Sequence, residues 1–435
     1  MAIHIRRNRG PRPGYYVATW GNDANSGSFI APWRTIQHAA DAVSLGNAVW
    51  VRAGTYNEAV EIAVSGSASY PIRFMAMPGE RPVIDGGDTL PGSYTGLVRV
   101  DGDYIIVDGF EIANSAYWAT GVYGEHCTVR NVVAHDGYHA GILAFGDYSL
   151  IENCISYKNA QENYQGAMWE EGGWGTGISI CRVDHDTPIN YGTIRGCVSY
   201  DNWGEGISCF EANYPIIENN IGFNNWSTNI YLSDAAHVLC QQNFLYDDRG
   251  DAYMFGGEPD SWNYYYNGSN VGILVGNEGF SPALNDIKVI NNICCAGNRN
   301  IYLGSNVLNV LIAYNTLVGS TYRAEIALNS SLSNVVVRNN IARRSGAIAV
   351  VDAEDEINPT YDHNNWSAAA PAYAQGTGDV TADPQLAESG SQYTVGWYMP
   401  GPSSPARAAG IPVSGVNIDF FGAVRGGTPT MGAIE

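Results

Sequence analysis

Lysine is nearly missing from this chain: Lys158 and Lys288 are the whole supply, and all basic residues together number 22 against 43 acidic ones. The resulting formal charge of −21 argues against nucleic acid and anionic membrane surfaces as partners, and against a polyanion bound without a bridging cation. No run approaches the roughly 18 apolar residues of a membrane span. The segment Met1 to Gly14 is basic and lacks the apolar centre of a secretory signal. Long helical stripes are also lacking. The eight cysteines are even in number, but several fall at repeat positions and Cys294 adjoins Cys295, so no disulfide is assigned from them.

What the chain has is a repeat. Glu205-Gly206-Ile207, Thr228-Asn229-Ile230 and Asp251-Ala252-Tyr253 open units 23 residues apart, and the pattern continues upstream through Gly121, Gly141 and Gly177 and downstream through Gly272, Asn300, Glu325 and Ala347. Each unit holds short apolar alternations broken by Gly, Asn and Asp, which is strand and not helix patterning. A unit of that size cannot bury its own apolar face, so units must stack. We expect parallel β coils of two or three strands each, about ten or more of them, spaced by roughly 4.8 Å. Asn220, Asn243, Asn292, Asn315 and Asn340 share one position in this pattern, with Cys154 and Cys197 ahead of them. Stacked amides of this kind satisfy one another in a buried column.

Length alone permits two or three domains, but the repeat argues for a single elongated one. Residues 1–96 read as an N-terminal cap with the first coils. Within them Pro32 to Val43 carries apolar residues at helical spacing and suits the covering of an open end. Regular coils run over 97–366, interrupted by insertions at 159–175, 182–192 and 256–270. Residues 367–435 lose the period and read as an irregular C-terminal cap.

Two stretches carry a resemblance. The opening, Tyr16-Val17-Ala18, Gly21-Asn22-Asp23, Pro32-Trp33-Arg34-Thr35-Ile36-Gln37 and Val51-Arg52-Ala53-Gly54-Thr55-Tyr56, resembles that of right-handed parallel β-helix proteins of the pectate-lyase-like superfamily. The ending, with Asp383-Pro384, Ser404-Pro405-Ala406, Asp419 and Met431-Gly432-Ala433-Ile434-Glu435, resembles the C-terminal segment of its secreted members. The resemblance implies an all-β right-handed solenoid. It also implies a carbohydrate partner without fixing the reaction, because that superfamily holds lyases, hydrolases, epimerases, tailspikes and inactive proteins. The Asp-Pro-His-Glu motif of the mannuronan epimerases is absent, and Val183-Asp184-His185-Asp186 does not replace it. Lyases of this fold commonly use a Lys or Arg base with calcium; with two lysines, an arginine such as Arg182 or Arg249 would have to serve.

The repeat converts sequence offsets into distances. Glu205 and Asp251, two steps apart in one column, are expected about 9–10 Å apart along the backbone, within reach of the carboxylate separation of inverting glycosidases. Glu211 and Asp234, one step apart, approach that of retaining ones, and their repulsion would raise one pKa. Asp201 and Asp247 share a corner column with Asn224. Aromatic residues gather near the insertions: Trp169, Trp174, Trp203, Trp226, Trp262 and Tyr264, with Glu171 beside them. Such rings pack against the C–H faces of sugars. Asp184, Asp186 and Asp201 are candidate ligands for a calcium ion.

Three readings follow from these residues. The first is a polysaccharide-degrading glycoside hydrolase that needs no cofactor, with Glu205 and Asp251 as acid and base and Glu211 and Asp234 as alternatives. The second is a calcium-dependent polysaccharide lyase. The third is a non-enzymatic glycan-binding or virion component such as a phage tail or capsid-surface protein. All three place the chain outside the cell or on a virion surface, as a monomer or homotrimer.

Overall fold

The computed structural model describes residues 14–164, 175–182, 187–248, 271–295, 297–353 and 359–435. It is a right-handed parallel β-solenoid of about 11 turns with 4% helix. Strands pair only in parallel across the coils, forming a 24-stranded and a 13-stranded sheet. The larger sheet comprises two faces that bend into one another, because Thr228–Gln241 rounds a corner and pairs with both Val271–Gly276 and Asn285–Ile290. A coil such as Glu205–Asn213, Ile216–Glu218 and Ile221–Phe223 therefore presents three flanks.

The interior is built by stacking like on like. Ile142, Ile178, Ile207, Ile230, Ile273, Ile301 and Ile326 pair in one unbroken column and are all fully buried. Each such side chain contributes about 1.5–3 kcal/mol on leaving water. The asparagine column forms as expected and continues one step further. Each Nδ2 from Asn220 through Asn340 donates to the next Oδ1 at 2.9–3.1 Å, ending on Asn364. Each also donates to a main-chain carbonyl across the core, as Asn243 does to Ile217. Asp379 closes the column by accepting the Asn364 N–H and the Trp366 indole. Cys197 joins its other end, its N–H donating to Asn220, and all eight cysteines are free thiols. A second ladder, Asn159 to Asn202 to Asn225, occupies another corner; its members precede Ala or Trp, so it lacks the apolar residue that marks the first.

The N-terminal helix is shorter than its apolar spacing predicts. Helix α1 spans Ile36–Ala42 and buries Ile36, Ala39 and Ala40 against the first coil. Residues before it stay extended because Asp23 accepts the N–H groups of Arg34 and Thr35, while Thr35 caps the helix. The Glu58 carboxylate accepts the N–H groups of Ile36 and Gln37 at 2.9 and 3.0 Å, which satisfies two donors of the first turn. At the other end, Ala370 and Ala374 cover the last turn. The chain then does more than close that end, for it runs back along one flank: Ile434, Met431 and Tyr398 pack on Phe244, Ile293 and Ile341. Arg425 donates to Asn291 at 2.8 Å and lies 3.9 Å above the Tyr314 ring. Among the described residues no helix is long and apolar enough to cross a membrane.

One strand register departs from the expected period. Thr228 pairs with Val271, so Val271 and not Asp251 stands two steps from Glu205. The described strands on either side are Phe244–Tyr246 and Val271–Gly276, so the 23-residue step to Asp251 falls between them in the sequence. Asp251 itself lies outside the described residues.

Candidate functional site

Side chains on the face of Glu205–Asn213 and its neighbours point alternately into the core and away from it. Ile207 and Cys209 point inward and Ser208 and Phe210 outward; together with Glu205, at the start of the strand, the latter two line a cavity of about 370 Å³. Preceding coils contribute Leu143 and Phe145, in register with Ser208 and Phe210, and Trp118, in register with Glu205, while the following coil contributes Tyr231. The volume falls at the lower end of the range for small-molecule sites, roughly 300–1,000 Å³.

Glu205 is the chemical centre of this cavity. Its residue exposure is 8%, and burial pushes its carboxyl up to about 8, helped by the charge of Glu278 and opposed by a hydrogen bond with Ser208. It is therefore largely protonated at neutral pH and able to give up a proton. Ser208 in turn donates to Ser179 at 2.9 Å, and both hydroxyls line the floor.

Opposite walls carry two further polar arrangements. Tyr231 donates its hydroxyl to Glu278 at 2.7 Å, and burial raises the pKa of that phenol, so it remains a donor. On the other side the Tyr94 hydroxyl meets His139 Nε2 at 2.9 Å, and His139 Nδ1 pairs with Glu162. Burial and the Glu162 charge push the Tyr94 phenol up to about 12. Arg182 also lines the cavity, donating to the Phe145 carbonyl at 3.0 Å and lying 3.6 Å from Asp147. The aromatic wall is edge-packed: Tyr94 meets Trp118 at 4.6 Å and Phe210 meets Phe280 at 5.4 Å.

Asp234 and Glu211 fall in one column as expected, but both are fully buried and neither lines the cavity. Asp234 accepts the N–H groups of Glu278 and Phe280, each at 3.0 Å, and the Ser233 hydroxyl at 3.0 Å. Its carboxylate is thus committed to holding the corner that carries Glu278 and Phe280 into the site. Trp203 and Trp226 sit at matching corners outside the cavity; Trp226 is buried, and the Trp203 carbonyl accepts from Asn163. Asp201 shares its column with Asn224 and Asp247. No three metal-ligating side chains come together among the described residues. Trp169, Glu171, Trp174, Asp184, Asp186, Arg249, Trp262 and Tyr264 lie outside them.

Residues 15–237 match the family model described as the Pel9A-like, right-handed β-helix region, just over half of the chain. The chain belongs to that family. It is 28% identical to pectate lyase PEL9 of Emericella nidulans over 165 residues, 34% of this chain and 39% of that protein. Among solved structures it is similar to pectate lyase Pel9A, with a TM-score of 0.60 at 21% identity, covering 97% of this chain and 96% of that one. It is also similar to XylC solved with xylose, with a TM-score of 0.66 at 12% identity, covering 97% and 98%. The chain spans only 30–47% of the first curated relatives it matches. At these identities the structural likenesses establish the fold, while the site stands on its own geometry.

Glu278, Tyr231, Tyr94, His139 and Trp118 were not legible as site residues in the sequence. Tyr231 had a usable signal, since it occupies the outward position between Ile230 and Leu232 next to Ser208. Glu278 had none, because it lies past the end of Val271–Gly276 in an aperiodic corner.

Proposed function

We propose that this protein is a carbohydrate-active enzyme that cleaves a glycosidic bond by hydrolysis in the Glu205 cavity. The observation that carries the reading is a buried carboxyl held neutral at physiological pH inside an aromatic-lined cavity, with a second carboxyl, Glu278, beside it. Glu205 donates its proton to the glycosidic oxygen as the bond to the anomeric carbon breaks. Glu278, oriented by Tyr231, takes a proton from the water that attacks that carbon, and the proton transferred to the leaving sugar is thereby replaced in the overall reaction. Trp118, Tyr94 and Phe280 supply faces and edges for the sugar ring. The substrate is a polysaccharide, met outside the cell.

A second reading, β-elimination on a uronic polysaccharide, is favoured by the family and by its pectate lyase relatives. Neither lysine lines the cavity, so the base would be Arg182 or His139. Calcium assistance would draw on Asp184 and Asp186.

The test is incubation with a panel of neutral and uronic polysaccharides, with and without calcium, reading new reducing ends and ultraviolet absorbance together. Reducing ends alone, lost in Glu205→Gln, is the expected result. Absorbance of an unsaturated product would replace hydrolysis with elimination. Silence across the panel would leave the non-enzymatic glycan-binding role.

A further inference from the structure

Every hydroxyl that lines the Glu205 cavity among the described residues spends its proton inside the protein. Tyr231 donates to Glu278 at 2.7 Å and Ser208 to Ser179 at 2.9 Å. Ser179 donates in turn to the Ser208 carbonyl at 3.3 Å, and Thr176 to the Ile178 carbonyl at 3.4 Å.

Tyr94 is engaged in the same way, by a relay of two further residues. Glu162 faces His139 Nδ1, and both atoms are buried. A carboxylate accepts and cannot donate, so the imidazole proton sits on Nδ1, and Nε2 is left to accept the Tyr94 O–H at 2.9 Å. The ring is braced edge-on by Tyr117 at 5.1 Å and Trp118 at 4.6 Å. Tyr94 lines the cavity and is itself 57% exposed, so its oxygen is open to a second hydrogen bond, as acceptor.

The charges point the same way. Arg182 is the one arginine or lysine among the described lining residues, and it is committed: it donates to the Phe145 carbonyl at 3.0 Å, lies 3.6 Å from Asp147, and its Nε is buried. Glu278 adds a carboxylate to the opposite wall. The walls therefore offer lone pairs and negative charge. A sugar hydroxyl brings a proton to such an acceptor, whereas a carboxylate brings only more lone pairs and a like charge.

We propose that the Glu205 cavity selects a neutral sugar over the uronic acid of the same configuration, with Tyr94, positioned by Glu162 through His139, as the specificity-determining residue that accepts a hydrogen bond from a sugar hydroxyl. This deepens the proposed function and rests on it only in taking the ligand to be a glycan.

The test measures binding to the full chain by nuclear magnetic resonance titration, in calcium-containing buffer so that an anion has every chance of being bridged. Methyl glucoside, galactoside and mannoside, as both anomers, are each compared with the methyl uronide of the same configuration. At least one neutral glycoside should bind, and its uronide should bind more weakly by about tenfold or more. Tyr94→Phe keeps the ring and should weaken the neutral glycoside by about 3- to 10-fold, the worth of one hydrogen bond, with an unchanged melting temperature. Glu162→Gln should weaken it to a similar degree and add nothing in the Tyr94→Phe background. A uronide bound as well as its neutral counterpart, or no neutral glycoside bound in any series, overturns the selectivity; full additivity of the two substitutions overturns the relay. If a variant does not fold, the ratio of glycoside to uronide in the unaltered chain still decides the selectivity. Turnover is read separately on β-mannan and polymannuronate, which differ only at C6. Hydrolysis of the uronic polymer would keep the proposed reaction and overturn the selectivity, and a neutral preference without turnover of any glycan would remove the reaction and leave the selectivity standing.

Discussion

Replacing Glu205 by Gln separates the cost of burying this carboxyl from its use. In the folded protein its pKa is about 8 against an ordinary 4.5, with burial the first cause. A carboxyl raised in this way contributes stability that is complete below the unfolded value and is lost as pH rises through the folded one. The window therefore runs from about pH 4.5 to about pH 8, and the full difference corresponds to an upper bound on the order of 4–5 kcal/mol. Glutamine keeps the shape and stays neutral throughout, so its stability should not fall over that window on this account. Urea unfolding of both proteins across the range should show near-equal stability at the acid end and a more stable variant at the alkaline end. Glu325, also buried and pushed up to about 7, titrates in the same range but is present in both proteins and cancels in the difference. The same substitution should lower kcat by about 10²–10⁴, the usual worth of a positioned acid. Parallel loss of stability in the two proteins would refute the buried neutral acid, and full activity in the variant would refute its role.

Asp234→Ala should release the corner bearing Glu278 and Phe280; stability falls by about 2–4 kcal/mol and kcat/KM falls with it, measured by urea unfolding and by kinetics on whichever glycan is turned over. Tyr231→Phe removes the hydroxyl held by Glu278 and should lower kcat several-fold with little change in the melting temperature. Asn243→Leu should cost about 2–5 kcal/mol, since it removes the acceptor of the buried Asn220 main-chain N–H and amide and the donor to the Ile217 carbonyl and to Asn292; an unchanged melting curve would show that the ladder is dispensable. Thiol titration should find little reaction in the folded protein and eight reactive groups in denaturant, because seven cysteines are buried and burial raises the thiols of Cys209 and Cys181 to about 12.

The solenoid could be read from the chain because it is a periodic object. A parallel coil places each residue beside its counterpart one turn away, so the demand for Ile at one position and Asn at another recurs along the sequence. The isoleucine column from Ile142 to Ile326 and the amide column from Asn220 to Asn340 are visible for that reason. Glu205 was also within reach, since it opens a regular strand.

The rest of the site was decided where the period breaks. Asp251 keeps the numerical step, but the position beside Thr228 is taken by Val271. Asp234 has the spacing of a catalytic partner to Glu211, yet the corner at 276–280 turns its carboxylate into an anchor for two main-chain N–H groups. That same anchor brings Glu278 to Glu205 from a stretch with no repeat to announce it. Sequence by itself determined the stack, its columns and the face that bears Glu205; tertiary structure alone decided which second carboxyl meets it, because an irregular corner is placed by its hydrogen bonds and not by its position in a period.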